Sequence, residues 1–358
     1  DAPVTVAAPN REERDGMAGD RSRPTMRDVA AVAGVSPMTV SRTLLGDRRV
    51  SPATRQRVLD AVSDLGYRRN ELARSLRLGR TSGLVGLVVT NLANPFYSQL
   101  AIGVESAAGE HGQKVVLGNT GEDVERERRL VEELTSRRVD GMIVVPAGGD
   151  HSHLSPRKVG NAPVVLAARP PSRLDADCVL VDDFGGAHEA TARLIRAGAR
   201  RVGYLGLPAS VWTSSERYRG FSVALEDAGL EHEDRYVRRH HGTIASAEEA
   251  AAELLAQPDP PDALFCANSR TTIGAYRAMR AAGAQVALAG FDDFELADLL
   301  GVPLILVAYD PRELGEQAAR LLLDRMGRTD ADRSVPPRRV VIPTSVIEYG
   351  GFVPAPSG

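Results

Sequence analysis

The chain has 358 residues, 43% of them hydrophobic, and a formal net charge of −3. That length exceeds one ordinary domain, and the apolar share supports a sizeable core. No apolar stretch approaches the roughly 20 residues of a membrane-spanning helix. Two cysteines, Cys178 and Cys266, lie far apart in apolar runs. They do not make a disulfide framework and read as buried thiols, as in a reducing cytoplasm.

Charge is unevenly distributed along the chain. Residues 26–80 hold 11 arginines against 5 acidic residues, a net of +6, and residues 81–358 carry a net of −8. A basic head attracts phosphates, and an acidic body does not compete for them. Residues 1–25 are polar and rich in Pro, Arg and Asp, without the apolar segment of a secretory signal. They are expected to be a disordered extension, with Met17 and Met26 as candidate starts.

Residues 26–66 predict a small three-helix domain. A short amphipathic run from Met26 to Ala33 meets a tight turn at Gly34-Val35-Ser36, and a second short helix follows. This second helix starts at Ser36-Pro37 and the third at Ser51-Pro52, each a serine cap followed by proline in the first turn. The third runs through Val62 and stops near Gly66. Val29, Val32, Val35, Val40, Leu44, Val50, Val58, Val62 and Leu65 are spaced to form one small core. The layout is that of a helix-turn-helix, whose second helix enters the DNA major groove.

Residues 67–80 are polar, with five arginines and a few leucines, and read as a linker. From residue 84 strands and helices alternate. Strands are predicted at 84–90, 114–117, 141–145, 163–167, 178–181, 201–205, 263–267, 286–290 and 303–308. Helices are predicted at 96–111, 123–137, 184–197, 214–228, 246–256, 270–282 and 311–326. The first strand is continuously apolar, as a parallel strand covered on both faces must be. Such alternation gives open parallel sheets with ligands at the strands' carboxyl ends, and the unit count suggests two lobes with a cleft between them.

The strings DVAAVAGVSPMTVSR, VSPATRQRVLDAVSDLGY, NELARSL, NPFY, RRVDGMIVVP, SSERYRGF, ALFCANS and GFDD occur here in that order. Together they resemble the lactose-repressor (LacI/GalR) family of bacterial transcription regulators over about residues 25–350. The resemblance implies an all-α helix-turn-helix head plus an α/β body of two lobes with parallel sheets, like a periplasmic binding protein. It implies a homodimer on a pseudo-palindromic operator and a small, sugar-like effector between the lobes. The corresponding division is an extension at 1–25, a DNA-binding domain at 26–66, a hinge at 67–80, an effector-binding and dimerisation body at 81–350 and a tail at 351–358.

In the head, Arg42 on the second helix is suited to bidentate pairing with guanine O6/N7, with a phosphate contact as the alternative. Pro37 and Met38 match the family's main base-reading positions and suit apolar contacts. Ser36, Thr39, Ser41 and Thr54 carry hydroxyls suited to phosphate oxygens or to helix capping. Arg49 matches a family position that reaches DNA. In the linker, the resemblance makes Leu76 a minor-groove wedge, packs Leu72 against Ala73 between paired hinge helices and puts Asn70 on a phosphate. Arg69 departs from the family, which usually has proline there.

In the body, the resemblance puts Asn94, Phe96, Arg169, Arg217, Asn268 and Asp292 in the effector cleft. Phe96 suits stacking on a sugar or base face, Arg217 a hydroxyl or carboxylate, and Asn268 and Asp292 sugar hydroxyls. Each also suits a hinge or a cap. Two departures fall nearby: Asn268-Ser269-Arg270 replaces the family's usual Asn-Asp, and the loop from Gly283 to Val286 is short.

His151-Ser152-His153 and His240-His241 read as solvated loops rather than metal ligands. The segment from Glu122 to Arg138 reads as an exposed helix face, and Trp212 either lines the cleft or packs. No cofactor is expected, and no catalytic motif appears. The Gly/Pro-containing tail cannot form a coiled coil, so a dimer is expected rather than a tetramer. Two other readings stay open: a sugar-binding module without a DNA role, and an enzyme on an α/β fold.

Overall fold

In a computed structural model the structure describes residues 24–67, 81–327 and 335–350. Two compact units divide between residues 80 and 81.

The first unit contains α1 (Met26–Ala33), α2 (Pro37–Leu44) and α3 (Pro52–Asp64). Thr25 and Asp28 form a reciprocal capping box at the start of α1, and Gly34 ends it at φ 62°. That left-handed turn is open to glycine without strain and aims α2 away from α1. Ser36 and Ser51 cap α2 and α3, each with proline at the first turn. Val29, Ala30, Ala33, Val40, Val58 and Ala61 form the core. Val32 is 59% exposed, contrary to the expectation that it joins this core. Ala30 and Ala33 take the buried face instead, because their small side chains let the helices approach closely.

The second unit has two six-stranded sheets. Its strands are β1 (Leu84–Val89), β2 (Lys114–Asn119), β3 (Gly141–Val144), β4 (Val164–Ala167), β5 (Asp177–Val181), β6 (Val202–Gly206), β7 (Val237–Arg239), β8 (Ala263–Cys266), β9 (Ala287–Phe291), β10 (Leu304–Ala308), β11 (Arg339–Ile342) and β12 (Ser345–Tyr349). Its helices are α4 (Pro95–Glu110), α5 (Val124–Ser136), α6 (Asp183–Arg196), α7 (Trp212–Asp227), α8 (Ile244–Leu255), α9 (Ser269–Ala282) and α10 (Pro311–Met326).

Sheet order is β11-β5-β4-β3-β1-β2 in the first lobe and β12-β10-β9-β8-β6-β7 in the second. Every pairing is parallel except that of β10 with β12. The chain crosses between lobes after β5, after β10 and between β11 and β12. One apolar core runs through both lobes, from Val85 and Leu87 to Phe291 and Val307. Cys178 and Cys266 are free and buried, as expected. No helix among the described residues is long and apolar enough to cross a membrane.

Glycines set the closest helix crossing of the first lobe. A Cβ on Gly103 of α4 would overlap the Arg312 carbonyl at the start of α10, and one on Gly315 of α10 would overlap the Leu100 carbonyl of α4. Helix propensity alone makes Gly103→Ala stabilising by about 1 kcal/mol. Overlap with rigid backbone reverses the sign, and we expect a loss of about 1–3 kcal/mol or more in urea denaturation. A gain in stability would contradict this packing.

Three strands lie outside the predicted set. β7, β11 and β12 are edge strands, each at most five residues long. They carry Arg238, Arg239, Arg339 and Glu348, so they lack the continuous apolar run of a central strand.

The expectation for His151 and His153 also fails. Both are buried, at 4% and 8% exposure. His153 Nε2 donates to Glu127 Oε1 at 2.9 Å, and His151 Nδ1 accepts the Ser172 N–H at 3.0 Å. Glu127 is wholly buried and its Oε2 also accepts the Ala147 N–H at 2.6 Å, so α5 is not an exposed charged face throughout. Burial holds the His151 imidazole below its ordinary range.

Candidate functional site

A cavity of about 270 Å³ lies between the lobes of the second unit. Its walls are the carboxyl ends of the strands, where backbone leaves each sheet and helices begin. Asn94, Phe96, Arg169, Arg217, Asn268 and Asp292, the six residues singled out in sequence, all line it. Glu122, Asp183 and Tyr309 line it too and were not anticipated. Asp183 and Tyr309 follow β5 and β10, so position after a strand end was a signal in the sequence that could have found them.

Arg217 organises the second lobe's side. It is buried, its Nε donates to Asp183 Oδ1 at 2.7 Å and its Nη1 to the Ala267 carbonyl at 2.6 Å. Asp292 Oδ1 lies 3.6 Å from the same Nη1 and accepts the Tyr309 hydroxyl at 2.8 Å. The guanidinium also stands 3.6 Å over the Phe291 ring. Burial opposes the Arg217 charge, but Asp183 and Asp292 more than offset it and hold the group above its ordinary range. Nη2 makes no hydrogen bond within the described residues and is available to a ligand.

Arg169 organises the first lobe's side. It pairs with both oxygens of Glu122 at 2.7 Å and donates to the Pro146 carbonyl at 2.6 Å. Such planar, bidentate pairing fixes the guanidinium's orientation. Asn94 and Asn268 are both helix caps. Asn94 Oδ1 accepts the Phe96 N–H at 3.0 Å, and Asn268 Oδ1 accepts the Thr271 N–H at 2.9 Å. Each therefore contributes its amide nitrogen rather than its oxygen to the cavity. Phe96 and Tyr309 place their ring centroids 6.1 Å apart, an apolar platform beside the polar groups.

The backbone is strained here. Glu122, Ala168 and Asp292, three of the seven non-glycine residues with positive φ among those described, all line the cavity. Left-handed conformations cost non-glycine residues roughly 1–3 kcal/mol and cluster where a site demands a particular side-chain direction. Trp212 starts α7 but packs against the first lobe's cluster of Met142, Leu154 and Leu166, so it bridges the lobes instead of lining the cavity.

The head presents a second candidate surface. Pro37, Met38 and Arg42 are exposed on α2, with Met38 at 63%. The hydroxyls of Ser36 and Thr39 lie 2.9 Å apart, and Ser51 donates to Thr54 at 2.9 Å. Ser36 and Ser51 are caps, so these hydroxyls have structural roles. Ser41 is half-buried. Arg49 is exposed but gripped by Asp47 through Nε–H at 3.1 Å and Nη2–H at 2.9 Å. That grip lowers the Asp47 carboxyl to about 2. Arg69, Asn70, Leu72, Ala73 and Leu76 lie outside the described residues.

Comparison with known proteins finds a family match over each of the two units. The profile of bacterial regulatory proteins of the lacI family matches residues 25–70. That of periplasmic binding proteins and the sugar binding domain of the LacI family matches residues 82–349. The chain belongs to the LacI family of bacterial regulatory proteins. It is a transcriptional regulator with a helix-turn-helix head and a small-molecule-binding body.

Among its LacI-family relatives, the ribose operon repressor of Escherichia coli strain K12 is 34% identical, over 84% of this chain and 93% of its own. The solved complex of the transcriptional regulator CelR with cellobiose is 32% identical with a TM-score of 0.66, covering 92% of this chain and all of its own. The lac repressor dimer bound to operator and an anti-inducer has a TM-score of 0.75, covering 93% of this chain and all of its own. At 24% identity it speaks for the fold alone.

Asp183 should make the folding stability of this LacI-family chain depend on pH. Its Oδ2 is buried without a hydrogen-bond partner, and burial pushes the carboxyl up to about 6 despite Arg217 beside it. An unfolded aspartate titrates near 4. Between about pH 4 and 6 the folded chain therefore holds a proton that the unfolded chain has released, and this contribution to stability falls as pH rises through that window. Asp183→Asn should lack the decline. Urea midpoints from pH 4.5 to 7.5 test it, and a constant wild-type-to-variant difference across that range would contradict it.

Proposed function

We propose that this chain is a repressor that binds a pseudo-palindromic operator as a homodimer, under control of a small sugar-like effector in the inter-lobe cleft. The convergence of Asn94, Phe96, Arg169, Arg217, Asn268 and Asp292 on one cavity carries this reading. Aromatic faces beside paired charges and amides suit a polyhydroxylated ring. At about 270 Å³ the cavity suits one ring rather than a longer oligosaccharide. The ribose operon repressor and the cellobiose complex of CelR support a sugar as the ligand class.

In the head, Arg42 reads a guanine edge, Pro37 and Met38 make apolar base contacts, and Ser36, Thr39, Ser41 and Thr54 approach phosphates. Arg49 joins them once DNA competes with Asp47. The hinge positions Asn70, Leu72, Ala73 and Leu76 engage the phosphate and minor groove between half-sites. Because each head reads one half-site, two are needed, and sedimentation should give a dimer. The protein works in the cytoplasm on nucleoid DNA and catalyses no reaction; incubation with sugars and sugar phosphates should yield no product.

A thermal-shift screen of sugars, sugar phosphates and nucleosides tests the ligand class. A true effector at 100 times its Kd adds about 2.7 kcal/mol of stability. Stabilisation only by nucleosides, or by none of the panel, would overturn the sugar reading.

A further inference from the structure

We infer that Arg270 makes the cleft selective for an effector that carries one anionic group beside its hydroxyls, a sugar phosphate or a sugar acid. The inference rests on the cleft being the effector site, as proposed above.

Three arginines line the cavity, with three carboxylates. Arg169 is neutralised by Glu122, and Arg217 by Asp183 and Asp292. That uses every carboxylate in the walls. Arg270 forms no ion pair among the described residues. Its one hydrogen bond, Nη1 to the Ala93 carbonyl across the cleft, is 3.4 Å long, beyond the ordinary N–H···O range. Its Nε is buried with no hydrogen-bond partner among the described residues.

The position of this charge is also unfavourable by itself. Arg270 sits in the first turn of α9, a turn with no acidic residue. A helix N-terminus carries partial positive charge, so a cation there is repelled and an anion attracted. The first turn of α8, whose cap Thr243 lines the same cavity, also has no acidic residue. Asp292 Oδ2 accepts the Ser269 N–H at 3.4 Å at this helix end, but Arg270 itself has no carboxylate partner among the described residues, and an uncompensated cation of this kind is what a binding site looks like before its ligand arrives. An anion on Arg270 removes the conflict, satisfies the buried Nε and uses the planar fork that matches carboxylate and phosphate. The hydroxyls remain for Asp183 Oδ2, Asp292 and the Asn94 and Asn268 amides. The departure from Asn-Asp at positions 268–269 acquires a meaning: an acid is replaced by Ser269, and the cation beside it is left free.

Calorimetric titration of the full-length protein tests this with matched sets at fixed ionic strength: ribose, fructose and glucose, their monophosphates and their sugar acids. For the sugar that fits, an anionic member should bind about tenfold tighter or more than the neutral one. Arg270→Gln should abolish that preference while leaving the neutral sugar within about threefold of its wild-type affinity, and Arg270→Lys should retain part of it. Whichever anion wins, phosphate or carboxylate, identifies the source. A wild-type preference for the neutral sugar overturns the inference alone. So does an equal loss for neutral and anionic members in Arg270→Gln, which would make Arg270 a latch between lobes. Binding of none of the set overturns the sugar reading of the cleft itself, and the inference with it.

Discussion

Replacing Arg217 with alanine should cost about 3–5 kcal/mol of folding stability at pH 7.5, measured by urea denaturation, and abolish effector binding. The side chain has little solvent around it: Arg217 is 8% exposed and Asp183 1% exposed. Removing the guanidinium strands the Asp183 carboxylate in a site that already pushes its titration up to about 6. It also leaves the Ala267 carbonyl without its donor and uncovers the Phe291 ring. The cost should shrink at pH 5, where Asp183 takes up a proton and needs no counter-charge. Adding Asp183→Asn to the alanine variant should recover part of the loss, because the two residues form one unit. A loss below 1 kcal/mol, or strict additivity of the two substitutions, would contradict the buried pair.

Replacing Arg42 with alanine should weaken operator binding by about 2–6 kcal/mol for a dimer that carries two copies, roughly 30-fold to 2 × 10⁴-fold. Arg42 lies exposed in the last turn of α2. It makes no ion pair among the described residues of the head, whereas Arg49 is held by Asp47. Its five donors therefore meet DNA without first breaking an internal bond. The loss should concentrate on one base position of each half-site, read by anisotropy against a panel of single-base operator variants. A uniform loss over all variants, with the salt dependence reduced by about one phosphate per head, would make Arg42 a backbone contact instead.

The central strands were legible because burial on both faces leaves little room for polar residues: β1 reads LVGLVV and β8 reads ALFC. The edge strands were not, because the half-buried Arg238 and the exposed Arg339 and Glu348 break that pattern. The cleft's six anticipated residues came from the family resemblance; strand ends account by themselves for Arg169, Asn268 and Asp292, just after β4, β8 and β9, whereas Arg217 sits inside α7. The charge network linking them was not. Glu122 meets Arg169 from 47 residues away, and Asp183 meets Arg217 from 34. No local spacing encodes such pairs. His153 was misread for the same reason, since Glu127, 26 residues distant, is what makes its burial tolerable. The asparagines show the opposite case, where a residue is both cap and cavity wall and sequence alone leaves the two roles open.

In a regulator of this kind, effector binding in the cleft changes the head's grip on operator. The most direct measurement is operator affinity by fluorescence anisotropy, with and without saturating effector, using an operator selected from a random pool. Operator Kd should change by about fivefold to 150-fold, matched by an equal change in effector Kd when operator is bound. Identical operator Kd values in the two conditions, with effector binding confirmed in the same sample, would contradict it.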